Sequence, residues 1–390
     1  MASRNKKNGD SSSSNLGSKN GVEETLDHIS QLPDAILVQI LSLLPTEDAV
    51  ASCVLSKRWR YLWTSIYNFL FVARNYKKAE NFRISQWLSF AVERKVENLV
   101  FYSPVDLTSV LPLSIYSSSS LIALELTRWV FDKRWVIVWN SLKSLNLHLI
   151  GLDDDNIVNL LSGCPALETL ELRLFRGFHR LEITSSNLKK LILTGYLNLR
   201  DDGIMESLEI IAPHLQHMEI SGDLGHFMCR LVNVSSLVTA SLTFEITCIA
   251  MFEDTCGDYH QVSRNLVMDY LEKLSHVTQL RIGSWLAEVV FMLQLDGLPL
   301  PELRCKCLTL EMNVTKYNLY GVASLLRISP LLETLNIHLG VELINYHCGF
   351  ELSYFDKGVN IILQNWISNI VFPSLKNVKI VGCGEECSNN

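Results

Sequence analysis

The most regular feature of the chain is a spacing of apolar residues that recurs from residue 96 to the C-terminus. Each copy places apolar side chains at its first, fourth and sixth positions. The eleven copies begin at Val96, Leu121, Leu142, Leu167, Leu188, Leu215, Leu237, Val277, Cys305, Leu332 and Leu375. Eight of the ten intervals between successive first positions measure 21 to 28 residues, and the other two measure 40 and 43. A period of this length indicates a chain built from stacked repeats.

Within each repeat the last two apolar positions are two residues apart, so on a strand their side chains point to the same face. One repeat cannot bury that face alone, and neighbouring repeats must therefore stack on it. Residues 155–161 and 320–326 have the apolar spacing of helices that return the chain to the next strand. The period is that of leucine-rich repeats. The predicted fold class is therefore α/β, a solenoid with a curved parallel sheet and helices on the outer side.

A stretch near the N-terminus, residues 29–72, has apolar residues at the three- and four-residue intervals of helices instead. Pro33 suits the first position of a helix, and Pro45 ends that helix. Thr46 is a candidate N-cap for a second helix, and a basic and aromatic run from Lys57 to Trp63 forms a third segment. So few residues cannot bury all their apolar surface, and an exposed apolar stripe indicates a partner site.

The same stretch resembles an F-box, because it carries a Leu-Pro start at Leu32, a Leu-Pro-Thr turn at Leu44 and a Leu-Ser-Lys-Arg-Trp run that ends at Trp59. The resemblance implies a docking surface for a Skp-type adaptor, which links such proteins to a cullin–RING ubiquitin ligase. By motif position, the residues that face the adaptor or hold its docking surface in shape are Leu32, Pro33, Ile36, Ile40, Leu44, Val54 and Trp59. The alternative is a three-helix cap on the rest of the fold, with these side chains buried internally.

The repeats resemble those of plant-type F-box/leucine-rich-repeat proteins at Gly163-Cys164-Pro165 and at Ser329-Pro330, each followed by a Leu-Glu-Thr-Leu run. Residues 372–380 are similar to the opening of the FBD region that often closes such proteins, whose usual final helix and strand are missing here. The predicted domains are a disordered tail (1–25), an F-box (26–72), a connecting helix (73–95), leucine-rich repeats (96–370) and a truncated FBD-like segment (371–390). A truncated end raises the alternative of a variant chain with impaired function.

Charge and composition narrow the possible partners. The net charge of −7 argues against sequence-independent binding to nucleic acid, which needs a basic surface. Residues 1–25 are polar and rich in serine, unlike a signal peptide, and the longest uncharged run, 107–124, contains Pro112 and many serines. We therefore expect an intracellular protein of the nucleus or cytoplasm with no membrane partner, whose ten cysteines are reduced thiols.

The sequence contains no nucleophile elbow, P-loop, H-E-x-x-H motif or paired C-x-x-C motif. His214 and His217 are the two histidines closest in sequence, and we interpret both as surface residues. The acidic run Asp153–Asp155 is interpreted as a loop that caps the following helix. The prediction is a non-catalytic protein with no metal and no cofactor.

The predicted target surface is the concave face of the sheet, lined by the residues that alternate with the buried apolar pair. The candidate target-binding residues are Thr169, Glu171, Arg173, Lys190, His217, Glu219, Gln279, Arg281, Glu311, Asn336 and His338. This set is polar and mixed in sign, which suits a protein partner. Four tryptophans are candidates either for partner anchors or for core packing: Trp129, Trp135, Trp139 and Trp285.

The two surfaces together predict a substrate-recognition subunit of an SCF-type ubiquitin ligase, which docks an adaptor at one end and a target protein along the repeats. Two alternatives stay open at this point. One is a small-molecule-dependent receptor, which by family analogy needs a basic floor that the sequence does not show. The other is an interaction scaffold outside any ligase.

Overall fold

The computed structural model describes residue 29 and residues 31–72, 88–102, 109–197, 206–246, 256–313, 316–340 and 372–382. The predicted tail at 1–25 and the last residues of the FBD-like segment lie outside these ranges. The helices are α1 (Asp34–Ser42), α2 (Thr46–Ala51), α3 (described over 88–93), α4 (Leu113–Tyr116), α5 (Asp154–Gly163), α6 (Cys256–Lys273), α7 (Ser284–Leu295) and α8 (Lys316–Arg327). Two 3-10 helices span Ser52–Val54 and Trp59–Ser65.

The strands are β1 (Asn68–Val72), β2 (Asn98–Tyr102), β3 (Ser109–Val110), β4 (Ala123–Thr127), β5 (Trp129–Val130), β6 (Ser144–His148), β7 (Thr169–Phe175), β8 (Arg180–Glu182), β9 (Lys190–Tyr196), β10 (Ser207–Ile211), β11 (His217–Asp223), β12 (Met228–Asn233), β13 (Thr239–Glu245), β14 (Gln279–Gly283), β15 (Cys307–Asn313), β16 (Thr334–Gly340) and β17 (Asn377–Gly382). Twelve of them form one sheet, in the order β1-β2-β4-β6-β7-β9-β11-β13-β14-β15-β16-β17. Every pairing in that sheet is parallel, as a solenoid of repeats requires.

All eleven predicted repeats contribute a strand to this sheet, and their apolar positions are aligned from strand to strand. Leu145, for example, is paired with Leu124 on one side and Leu170 on the other. The side chains of this column are buried along most of the sheet. The apolar columns on this face form the core, which confirms the predicted leucine-rich-repeat solenoid.

The sheet begins with β1, one strand before the first predicted repeat at Val96. Strand β1 lies inside the stretch assigned to the F-box, and Ile66, Phe69 and Phe71 have the same spacing as the later repeats. All three side chains are buried. The resemblance of the preceding residues to an F-box masked this first copy of the pattern. The domain limits therefore stay a prediction, since the helical module and the first strand overlap in sequence.

The outer side of the solenoid is not helical throughout. The predicted returning helices at 155–161 and 320–326 are confirmed as α5 and α8. Between α5 and α6, however, the outer elements are β8, β10 and β12, which form a second parallel sheet. The repeats in this part of the chain have periods of 21 to 27 residues. Each outer strand buries a leucine side chain in the core: Leu181 in β8, Leu208 in β10 and Leu231 in β12. A strand spans the same distance with fewer residues than a helix, and β8 and β12 lie in repeats of only 21 and 22 residues.

The N-terminal module covers the first edge of the sheet. Helix α1 starts one residue after Pro33, which is its N-cap and not its first helical residue. Thr46 is likewise not the N-cap of α2, since Pro45 occupies that position. The buried Thr46 hydroxyl instead accepts a hydrogen bond from the backbone N–H of Leu70, at 2.9 Å. An edge strand leaves N–H groups unpaired, and α2 satisfies one of them.

Aromatic side chains join this module to the solenoid core. The ring of Trp63, in the second 3-10 helix, lies 5.7 Å from that of Phe90 in α3, which in turn lies 6.3 Å from Phe69. The series continues along the sheet through Phe71 and Phe101, at 5.7 Å. The predicted connecting helix is thus seen over 88–93, and its earlier residues, 73–87, lie outside the described ranges. Packing of this kind makes the module and the solenoid share one core.

We expect the substitution Gly163→Ala to destabilise the protein by about 1–3 kcal/mol, the usual cost of overpacking. A Cβ atom on Gly163 would lie 2.3 Å from the carbonyl oxygen of Ile137, and a backbone atom cannot move aside cheaply. Gly151→Ala is the matched control, because its Cβ would meet only the Arg176 side chain, at 3.4 Å. Urea unfolding monitored by circular dichroism measures the difference. Equal midpoints for the two variants would contradict the packing of α5 on residues 137–139.

We expect Thr46→Val to lower the stability of the protein by roughly 1–3 kcal/mol, because it leaves the N–H of Leu70 without its acceptor. The control is Thr64→Val, which removes only an exposed hydrogen bond to the carbonyl of Tyr61 within the second 3-10 helix. Hydrogen exchange at the Leu70 amide is the direct measurement. Exchange at this amide as slow in Thr46→Val as in the wild type would show that α2 does not protect the edge strand.

Candidate functional site

The N-terminal module carries an uncovered apolar surface formed by α1, α2 and the turn after α2. Leu43 and Val54 are the most exposed, with 82% and 83% of their residue surface accessible to solvent. Ile36, Ile40 and Leu44 are exposed to a lesser degree. Leu37 and Leu41, one residue further along the same helix in each case, are buried. Helix α1 therefore has two apolar faces, one directed into the module and one into solvent, which is the pattern of a partner site.

The predicted adaptor residues divide between these two faces. Pro33, Ile36, Ile40, Leu44 and Val54 are exposed, whereas Trp59 is buried and Leu32 is half-buried against the core. Trp59 and Leu32 can therefore shape the surface but offer little area of their own to a partner. Their docking role stays a prediction.

Two further residues belong to the exposed apolar surface and were not among the predicted adaptor residues. Leu43, at the C-terminal end of α1, and Leu55, after the first 3-10 helix, are both largely exposed. Leu43 follows the helical spacing of apolar residues in the first helix, and this spacing alone was sufficient to include it among the adaptor candidates. The motif resemblance assigned it no role.

One arginine fixes the geometry of this module. The Arg58 side chain donates a hydrogen bond from Nε to the Asp34 carboxylate, at 2.8 Å, and another from Nη2 to the carbonyl of Leu32. Both bonds reach back to the start of α1 from the residue before the second 3-10 helix. They hold the beginning and the end of the module together, although each is exposed and therefore individually weak.

The second candidate surface is the open, concave face of the twelve-stranded sheet. The predicted target-binding residues lie on it in three columns that run across the strands. The first contains Thr169, Lys190, His217 and Gln279, the second contains Glu171, Glu219, Arg281 and Asn336, and the third contains Arg173, Glu311 and His338. The structure thus brings all eleven to one face. Their role in binding a target stays a prediction.

Many polar side chains of the concave face are paired with each other. Glu171 accepts a hydrogen bond from Arg173 at 2.5 Å. Near the other end of the sheet, Arg281 forms an ion pair with Glu311 at 2.9 Å, and His338 lies 4.0 Å from the same carboxylate. Such pairs are partly satisfied before any partner arrives, and each offers less to a partner than an unpaired group does.

The concave face extends further towards the N-terminus than the candidate residues did. Tyr102 donates a hydrogen bond to Glu125 at 3.0 Å, and burial together with this carboxylate raises the pKa of the phenol. Burial, followed by the positive charges of Arg173 and Arg128, lowers the pKa of His148 and favours its neutral form. The alternation of buried and exposed positions in the earlier repeats also places Tyr102, Glu125 and His148 on this face, although the candidate target-binding residues begin at Thr169.

A groove of about 590 Å³ interrupts the concave face between β9 and β15. Thr239 and Ser241 of β13 lie between longer side chains on the two neighbouring strands. The side chains of Glu219, on β11, and Gln279, on β14, have no hydrogen-bond or ion-pair partner among the described residues. Unpaired polar groups therefore line this groove.

The candidate tryptophan anchors are mostly core residues. Trp129 and Trp139 are buried, and the indole N–H of Trp139 donates to the carbonyl of Ile115 at 2.6 Å. Trp285 is partly buried and packs near Phe244. Trp135 is 38% exposed and is the one of the four with substantial surface available to a partner.

The described residues contain no cluster of histidine, cysteine, aspartate or glutamate that could hold a metal ion. His214 and His217 are both exposed. Asp153 caps α5, as expected, by accepting a hydrogen bond from the N–H of Asn156 at 2.9 Å. In the described ranges, no helix is long and apolar enough to span a membrane.

A helical module that covers the edge of a leucine-rich-repeat solenoid defines the class of F-box/leucine-rich-repeat proteins, and comparison with known proteins agrees. A family model described as "At1g61320/AtMIF1, LRR domain" matches residues 66–386, and the F-box domain model matches residues 29–71. The chain therefore belongs to the family of the At1g61320/AtMIF1 LRR domain and carries an F-box. Members of F-box/LRR families are typically non-catalytic adaptors, and this architecture is of the SCF substrate-receptor type.

Several curated proteins of Arabidopsis thaliana are similar along most of their length. F-box/LRR-repeat protein At3g03360 is 32% identical over 84% of this chain and 74% of its own length. Putative F-box/LRR-repeat protein At5g02930 is 30% identical over 91% of this chain and 82% of its own. F-box/LRR-repeat protein At5g02910 is 29% identical, over 93% and 83% respectively.

We expect the cysteines to react with iodoacetamide in two groups. Burial raises the pKa of the Cys164 and Cys229 thiols to about 12, so both should stay unmodified in the folded protein at pH 8. Cys53 and Cys307 are half-buried and should be modified faster than Cys164 and Cys229. Peptide mass spectrometry measures the extent of labelling, with the urea-unfolded protein as the control in which all four react. Labelling of Cys164 or Cys229 as fast as Cys53 would contradict the repeat packing.

Proposed function

We propose that this protein is a substrate-recognition subunit of an SCF-type ubiquitin ligase. The observation that carries the proposal is the uncovered apolar surface around Leu43 and Val54, on a module that matches the F-box model. Exposed side chains of this size on a folded module favour a permanent protein partner. A Skp-type adaptor, and through it a cullin–RING ligase, is the partner proposed for this surface.

The proposed target surface is the concave face of the repeats, with its polar columns and central groove. The protein supplies position, because it holds a target close to the ubiquitin-transferring machinery and so raises the effective concentration of the target's lysines. The shared core of the module and the solenoid supports this mechanism, because a rigid connection limits the positions that the target can take. We propose that this takes place in the nucleus or cytoplasm.

The test is a binding measurement with a purified Skp-type adaptor. Val54→Asp and Ile40→Asp each place a carboxylate in the apolar surface, and burying an unpaired charge should weaken binding by at least about tenfold. The matched control is Val158→Asp in α5, because Val158 is also an exposed valine, at 63%, but lies on the repeats. Isothermal titration calorimetry gives the dissociation constants.

Adaptor binding by the wild type and by Val158→Asp, with loss in both module variants, is the expected result. A correctly folded wild type that does not bind any Skp-type adaptor would refute the ligase proposal. Equal loss in all three variants would show that the module surface is not the docking site.

A further inference from the structure

The central groove of the concave face contains a narrower feature, which we call the trough. Its floor is formed by Thr239 and Ser241 of β13. One wall is formed by Glu219 of β11 and the other by Arg281 of β14, and both are paired in register with Ser241. Adjacent strands lie about 4.8 Å apart, so the two wall residues are separated at their Cα atoms by roughly 10 Å. All four residues line the same groove.

The walls of the trough carry opposite charges that do not neutralise each other. Glu219 is half-buried and has no hydrogen-bond or ion-pair partner among the described residues. Arg281 forms its ion pair on the far side, with Glu311 at 2.9 Å, so it does not close over the trough. The small side chain of Ser241 leaves the space between them open. The trough therefore presents a hydrogen-bond acceptor on one side and a donor on the other.

The floor adds a further unpaired polar group. Ser241 is only 8% exposed, and its hydroxyl has no hydrogen-bond partner in the described part of the chain. A buried hydroxyl without a partner is unfavourable, and a polar guest in the trough can supply the missing bond after rotation of the serine side chain. By contrast, the hydroxyls of Thr194 and Ser221, on β9 and β11, are paired with each other at 3.2 Å.

These features determine which kind of target side chain can bind in the trough. A cationic side chain in the trough would be attracted by Glu219 and repelled by Arg281, whose charge the exposed ion pair with Glu311 offsets only in part. An anionic side chain would be attracted by Arg281 and repelled by Glu219. In either case one charge would be desolvated beside a like charge, which is costly. A primary carboxamide is neutral and carries a donor and an acceptor on the same small group. It can donate to Glu219 while it accepts from Arg281.

We propose that the trough is a specificity site that accepts one asparagine or glutamine side chain of the target protein. The proposal rests on the proposed function only in that it takes the concave face as the target surface. It identifies Ser241, Glu219 and Arg281 as the residues that distinguish a carboxamide from a charged side chain.

The experiment is a selection of random peptides displayed on phage against the full chain. We expect the enriched peptides to share one Asn or Gln at a fixed position. Replacing that residue by Asp or Lys in a synthetic peptide should weaken binding at least about tenfold, since it leaves one wall unmatched. Fluorescence anisotropy with the labelled peptide gives the ratio.

Variants of the protein connect the result to the trough. Ser241→Leu fills the space and should abolish binding of the selected peptide, whereas Ser144→Leu, at an exposed concave position on β6, should leave it unchanged. Glu219→Lys makes both walls cationic and should change the selected residue from Asn or Gln to Asp or Glu. Thermal unfolding confirms that each variant is folded, and Thr239→Leu replaces Ser241→Leu if the latter is not.

Selection of peptides anchored by a charged or apolar residue, failure to enrich any shared residue, or unchanged binding to the folded trough-filling variant would overturn the proposal. The adaptor measurement is independent of this one. If the protein does not bind an adaptor, the peptide result is still valid. If the peptide selection fails, adaptor binding is unaffected.

Discussion

The structure depends on apolar columns that run across the parallel sheet and cannot be buried by any single repeat. Leu124, Leu145 and Leu170 are successive members of one column, and each completes the cover of its neighbour. Because stability comes from these contacts between adjacent repeats, the sheet must continue from one repeat to the next. The opposite face of the same strands is then free to carry polar residues, and the surface proposed for the target exists for this reason.

The same constraint explains the position of the helical module. A parallel sheet ends in an edge with unpaired backbone groups, and here α2 lies against that edge, with Thr46 bonded to the N–H of Leu70. The aromatic contacts from Trp63 through Phe90 to Phe69 extend the core into the module. The module thus uses one apolar face for the solenoid and leaves the other for a partner. At the far edge, by contrast, Val378 and Ile380 of β17 remain exposed.

The concave face shows how paired and unpaired charges divide one surface. Glu171 and Arg173 satisfy each other and contribute mainly to a solvated rim, whereas Arg281 pairs with Glu311 on its far side and still lines the trough. Glu219, between these pairs, is left without a partner because the residue opposite it on the next strand is a serine. A single small residue therefore creates both the space and the unsatisfied charge. This combination is what a specific contact with a target needs.

Sequence spacing alone determined the solenoid, all eleven predicted repeat strands and the face on which each concave residue lies. It could do so because the two-residue period of a strand fixes which side chains share a face. The motif resemblance added the F-box, and five of its seven docking candidates are exposed. The first strand, β1, carried the same spacing but was hidden by that resemblance.

Which residues that are distant in sequence contact one another is visible only in the tertiary structure. The outer sheet forms by pairing of β8, β10 and β12 from separate repeats, and the hydrogen bond from Leu70 to Thr46 joins residues 24 positions apart. The pairing of Arg281 with Glu311, which leaves Glu219 unmatched, likewise joins separate repeats. Local spacing sets the face of a side chain, but its partner is set by the register between strands, which no single repeat contains.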